Sequence, residues 1–168
     1  MTIVSISPSR PEARSLIGEL DAEIVARNPG SPVNGIDIDD FERAGGYFVI
    51  AREGGETVGY GAFRPLDDRV AEIKRMFVWA DARKRGVARR ILRHLEGEAW
   101  RSGFRSMVLE TGHRHAEAIS LYESEGYFPI PPFLGYVGSP ISRCFAKGAI
   151  QQPGSAPALQ EPLHGPRG

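Results

Sequence analysis

Two hydrophobic periods alternate along this chain. Thr2 to Ile6 is a short β-branched run and predicts a strand. Leu16, Ile17, Leu20, Ile24 and Val25 then recur at helical spacing. Ser9 is a candidate cap for that helix, Pro11 suits its first turn, and Glu12 lies at its favourable end. The helix should stop near Asn28-Pro29-Gly30. After the acidic stretch Asp37, Asp39, Asp40 and Glu42 come two runs of strand formers, Tyr47–Arg52 and Thr57–Arg64. They flank Gly54-Gly55, which is a hairpin signal. Val70–Val78 is a third strand candidate, and the three make an antiparallel meander.

The second half reads differently. From Gly86 to about Arg101, Val87, Ile91, Leu95 and Ala99 share one helical face, with Leu92 and Trp100 beside it. Ser106–Glu110 reads as a strand and His115–Ser124 as a helix ended by Gly126. Strand, helix, strand implies a right-handed parallel crossover. Ser142–Ala146 is a final strand. Before it runs a stiff segment, Pro129-Ile130-Pro131-Pro132 and then Phe133 to Pro140, long enough to close over a site. Residues 148–168 hold four Gly and four Pro without any period, and read as a disordered tail behind a domain of residues 1–147.

Composition narrows the class. A chain of 168 residues favours one domain. Lys+Arg and Asp+Glu are both 21, so the net charge is zero, which argues against a generic nucleic-acid binder. The single Cys144 forms no disulfide within these residues and makes a reducing, cytoplasmic setting the default expectation. The first residues lack a secretory pattern and no window approaches 18 apolar residues, so no membrane span is expected. His113 and His115 lack an acidic partner at metal-binding spacing, and no metal is expected.

The most informative segment runs from Val78 to Arg90. A strand ends, and a turn containing Gly86 leads directly into a helix. Unpaired N–H groups at such a helix start suit a phosphate or pyrophosphate. From Arg83 to His94 there are six formal positive charges and no acid. The segment is either an anion site built mostly of backbone or a solvated basic face. GxGxxG and GxxxxGK[ST] are both missing, which disfavours a dinucleotide fold and a P-loop.

Arg83-x-x-Gly86-x-Ala88, preceded by Ala71-Glu72-Ile73-Lys74-Arg75-Met76-Phe77-Val78, resembles the acetyl-CoA signature of the GCN5-related N-acetyltransferase (GNAT) family. Ala118-Ile119-Ser120-Leu121-Tyr122-Glu123-Ser124-Glu125-Gly126-Tyr127 resembles the family's other signature, in the family order. The resemblance covers roughly residues 2–147. It implies an α/β (α+β) fold: a twisted, mostly antiparallel mixed sheet with one parallel strand pair at the cofactor site and helices on both faces. It also implies acetyl-CoA as cosubstrate. Backbone groups of Arg85, Gly86, Val87, Ala88 and Arg89 would hold the pyrophosphate, with Arg83 and Lys84 near the phosphates. Met76, Phe77 and Val78 would pair with the pantetheine arm. His115 stands where the family often has Asn, and the pantetheine contact would pass to its ring. Homodimers are common among similar proteins, so a homodimer is compatible with the resemblance.

Acetyl transfer to an amine needs a proton acceptor, a donor to the oxyanion and a group that stabilises or protonates the leaving thiolate. The resemblance nominates Glu72 as general base and Tyr122 as general acid; backbone N–H near Phe77 or Val78 would serve the oxyanion. The residues alone leave Glu72 open to pairing with Lys74 or another cation, and Tyr122 to core packing. Asp37–Glu42 is either a solvated loop or an attractant for a cationic amine. Tyr60 and Arg64 could face core or cleft, and Phe133 and Tyr136 read as a lid. The expected function is acetyl-CoA-dependent transfer to a primary amine of a small, amino-acid-like molecule by direct attack in a ternary complex. A peptide or protein acceptor and a non-catalytic CoA sensor are the alternatives.

Overall fold

Gly54 and Gly55 both have positive φ, +58° and +89°, which is the two-residue turn whose twist matches the flanking strands. Around this turn β2 (Tyr47–Glu53) and β3 (Glu56–Pro65) pair antiparallel, and β4 (Val70–Val78) continues the meander. The computed structural model of the protein describes residues 1–27 and 37–149. The expected helix end at 28–30 and the tail from residue 150 lie outside them.

β1 (Thr2–Ser5) adds to the free side of β2, one residue shorter than the β-branched run suggested. α1 (Pro11–Arg27) follows it. Beyond β4, α3 (Val87–Arg101) crosses back to β5 (Ser106–Gly112), which lies parallel to β4; α4 (Ala116–Ser124) and β7 (Ser142–Gly148) follow. The sheet order is β1-β2-β3-β4-β5-β7 and then β6 (Phe128–Ile130) at the edge, mixed as expected.

Three segments depart from the sequence reading. The acidic stretch forms a short helix, α2 (Ile38–Arg43), capped by Asp37, whose side chain accepts from the Asp40 N–H at 2.9 Å. Phe41 anchors it by burying its ring. Its acids are matched locally: Asp39 by Arg14, Asp40 by Arg43, and Glu42 by the Ser7 hydroxyl. Second, the proline-rich segment begins with an edge strand, β6 (Phe128–Ile130), paired to β7. An edge tolerates Pro129, which has no N–H to donate. Third, β7 runs to Gly148, paired with Ser106, two residues past the expected strand end at Ala146.

The two sheet faces carry different helices. On one, α3 and α4 cover Val49, Phe63, Ile73, Met107, Leu109 and Phe145. On the other, α1 and α2 cover Phe48, Ile50, Tyr60 and Ala62. Phe133, Leu134 and Tyr136, around a single 3₁₀ turn, pack on the second face over Val70, Val108 and Cys144. Among the described residues, no helix is long and apolar enough to cross a membrane.

Candidate active site

The parallel pairing of β4 and β5 covers Val70–Ile73 against Ser106–Leu109. Past that point β4 stays with β3, through Gly59↔Val78, and β5 stays with β7, through Gly112↔Ser142. The strands part, leaving a wedge between Lys74–Val78 and Glu110–Gly112. A β-bulge marks the parting. The β3–β4 register slips between Tyr60 and Ala62, and Arg75 takes φ +57°. The extra residue lets Lys74 and Arg75 both reach the α1 side, where Arg75 pairs with Asp21. Met76 then faces α3, Phe77 faces Tyr60 and Trp79, and Val78 is buried under α3.

At the end of β4, a 3₁₀ turn (Ala80–Ala82) leads into α3. Lys84 has φ +60° and Gly86, the N-cap of α3, has φ +77°. The first helical bond runs from Arg90 N–H to the Gly86 carbonyl at 3.1 Å. The N–H groups of Val87, Ala88 and Arg89 precede it and point out of the helix end. A side-chain carbon built on Gly86 would meet nothing within 4 Å, so the cradle is open to an incoming diphosphate. These are the residues the pyrophosphate expectation names, and their geometry fits it. Gly86→Val forces a β-branched residue into a left-handed conformation at a strain of about 1–3 kcal/mol. We expect the acetyl-CoA dissociation constant to rise at least about tenfold, read by titration calorimetry.

The basic run around this cradle is not a naked positive rim. Arg85 pairs with Glu53, Arg89 and Arg93 share Glu125, and Lys84 lies 4.0 Å from Glu117. Arg83 donates from Nε to the Val78 carbonyl at 2.9 Å and stacks over the Phe77 ring. Arg83 therefore braces the turn. Glu125 ties the first turns of α3 to the end of α4, and its two arginines hold its carboxyl below the usual range.

Tyr122 comes from α4 on the α3 side of the sheet. It is buried edge-on against Tyr127 and beside Phe145. Burial, reinforced by the Glu110 charge, pushes its phenol up to about 12. It stays protonated at any working pH. A phenol is already a weaker acid than a thiol near 8.5, and this one more so. A phenol held protonated in this way can donate a hydrogen bond to an anion but is a poor proton source for a thiolate. His115 caps α4 at the tip of the wedge, exposed, with its ring over Gly112.

Glu72 lies on the opposite face, 1% exposed. Its Oε2 accepts from Arg64 Nε at 2.7 Å. Its Oε1 accepts from the Tyr136 hydroxyl at 2.9 Å and lies 3.4 Å from Lys74 Nζ. Both oxygens are engaged. Arg64 thus faces the cleft side, and the lid reading of Tyr136 gains a specific contact. Tyr60 is fully buried in the core under α1. Sequence reasoning missed Glu110. It follows the buried run Met107–Leu109, is only partly buried, and its charge adds to the burial that raises the phenols of Tyr122 and Tyr136. An acid closing an apolar strand was the available signal.

The model of the acetyltransferase (GNAT) family matches residues 11–127. An IAA acetyltransferase of Azospirillum brasilense is 34% identical over 143 residues, covering 84% of this chain and 94% of that protein. An acetyltransferase from Streptococcus agalactiae superposes with a TM-score of 0.73 at 22% identity, over 88% of this chain and 97% of that one. A GNAT family acetyltransferase from Elizabethkingia anophelis, solved with acetyl-CoA bound, gives 0.65 at 17% identity over 88% and 97%. The chain belongs to the acetyltransferase (GNAT) family and is an acyltransferase that uses acetyl-CoA as its cosubstrate.

Proposed function

We propose that the acetyl acceptor is the primary amine of a small, amino-acid-like molecule, attacking the thioester directly while both substrates are bound. The observation that carries this reading is the roof over the acceptor side. Phe133 is buried against the sheet, and the Tyr136 hydroxyl bonds to Glu72 beneath it. A roof latched onto the floor suits a small enclosed acceptor better than a peptide lying across an open groove. The relative from Azospirillum brasilense, described as an IAA acetyltransferase, supports the same direction.

In this reading the N–H groups of 85–89 hold the pyrophosphate, and the 76–78 edge of β4 carries the pantetheine arm and polarises the thioester carbonyl. His115 closes the arm at the wedge tip. Tyr122 donates to the sulfur as it leaves. The amine's proton leaves toward the carboxylates of the second face. Glu72 takes it only after a water replaces Tyr136 or Lys74. Glu110 is partly exposed, with no ion pair among the described residues, and takes it directly.

Thiol release from acetyl-CoA, measured across amines, amino acids, polyamines and peptides, tests the assignment. Saturable release with one class of small amine is expected. Release only with peptides would transfer the assignment to a peptide acceptor. Tight acetyl-CoA binding without release from any amine would favour the sensor reading.

A further inference from the structure

We propose that Arg64 and Lys74 form an anion subsite for a carboxylate carried by the acceptor, so that the acceptor class is an amine bearing an acid group. The proposal deepens the small-amine reading and rests on it.

The charge inventory points this way. Glu72 offers one carboxylate to two cations, Arg64 at 2.7 Å and Lys74 at 3.4 Å. Among the described residues, Arg75 at the bulge pairs with Asp21 and not with Glu72. The three members at Glu72 therefore carry a net positive charge. They are also graded in depth: the Glu72 side chain is 1% exposed, Lys74 16% and Arg64 39%. The acid forms the floor, Lys74 lies above it under Tyr136, and Arg64 is the exposed cation.

Arg64 is suited to a second anion. Among the described residues, its contact with Glu72 uses Nε. A guanidinium has five N–H donors in one plane, and the terminal nitrogens can fork onto another carboxylate. Lys74 Nζ lies 3.4 Å from Glu72 and donates to the Tyr136 hydroxyl at 3.2 Å, and burial, ahead of the Arg64 and Arg75 charges, opposes its protonation. A carboxylate arriving beside it would favour the charged amine.

Position completes the case. Lys74 is the last residue before the bulge at Arg75, on the face shared by Glu72 and the lid. The subsite thus adjoins the point where β4 and β5 part. Glu110 stands on the far strand, and its charge is felt by Tyr122. A zwitterionic acceptor would direct its ammonium toward Glu110 and the thioester, and its carboxylate toward Arg64 and Lys74. The polarity of the wedge matches that of an amino acid.

Calorimetric titration of the CoA-saturated full chain tests this without turnover. The probes are a panel of free amino acids, each beside its α-carboxamide, which differ in that one charge. The best-binding amino acid should bind at least about tenfold tighter than its amide. Arg64→Gln should shrink that ratio to about twofold or less, and Arg64→Lys should restore part of it. If Arg64→Gln does not fold, Arg64→Gln with Glu72→Gln removes both charges and leaves no unpaired buried acid. Equal affinity for acid and amide, no binding by any amino acid, or a ratio that survives Arg64→Gln would each overturn the subsite. Thiol release is read separately. Acid-selective binding without any transfer upholds the subsite and refutes the small-amine acetyltransferase reading.

Discussion

Changing Tyr122 to phenylalanine is expected to lower kcat by about two to three orders of magnitude. The acetyl-CoA dissociation constant should stay within about twofold of the parent's, because only a hydroxyl is removed. The ring keeps its edge-on contact with Tyr127 and its place beside Phe145. What disappears is the hydroxyl proposed to donate to the leaving sulfur. With the phenol raised to about 12 by burial and by Glu110, the hydroxyl remains a donor throughout the working range. An alkaline loss of activity with its midpoint between pH 8 and 10 would therefore belong to another group. Steady-state kinetics at saturating substrates, with thiol release as the signal, reads the effect. An unchanged kcat would remove Tyr122 from the chemistry and leave it as core packing.

Glu72→Ala should act on the fold and the site together. Removing one partner from a buried ion pair typically costs about 3–5 kcal/mol. Arg64 reaches water with 39% of its side chain, so a loss nearer about 2–3 kcal/mol is expected in denaturant unfolding. The same change releases Lys74 and the Tyr136 latch, and the amine KM should rise more than about tenfold. Glu72→Gln separates the two candidate proton acceptors. If Glu72 accepts the proton, the acid limb of the kcat profile vanishes in Glu72→Gln. If Glu110 accepts it, that limb persists there and vanishes in Glu110→Gln.

The parts of the fold legible in the sequence are those determined within a few residues. Gly54-Gly55 demands a tight hairpin, and Gly86 between β4 and an amphipathic helix demands a left-handed cap; both occur. α2 and β6 were not legible, for a common reason. Six residues rich in Asp form a helix here because Phe41 docks in the core, and Phe128–Ile130 form a strand because β7 offers an edge. Neither carries a local period long enough to announce itself.

The candidate site divides along the same line. The backbone cradle could be read from one glycine and its neighbours. The charges around it could not, because their partners are remote in sequence: Glu53 lies 32 residues before Arg85, and Glu125 lies 36 after Arg89. A run without local acids looked strongly cationic, and folding neutralised much of it. Arg64 and Glu72 face one another across β3 and β4, and Tyr136 joins them 64 residues later from the lid. Only the register brings those three together.

A crystal structure of the acetyl-CoA complex tests the wedge past Ile73 and the amide cradle of 85–89 together. The diphosphate is expected within hydrogen-bond distance of those amides, the pantetheine arm against residues 76–78, and the sulfur facing the Tyr122 hydroxyl. Cofactor seated elsewhere, with the Gly86 turn untouched, would contradict both.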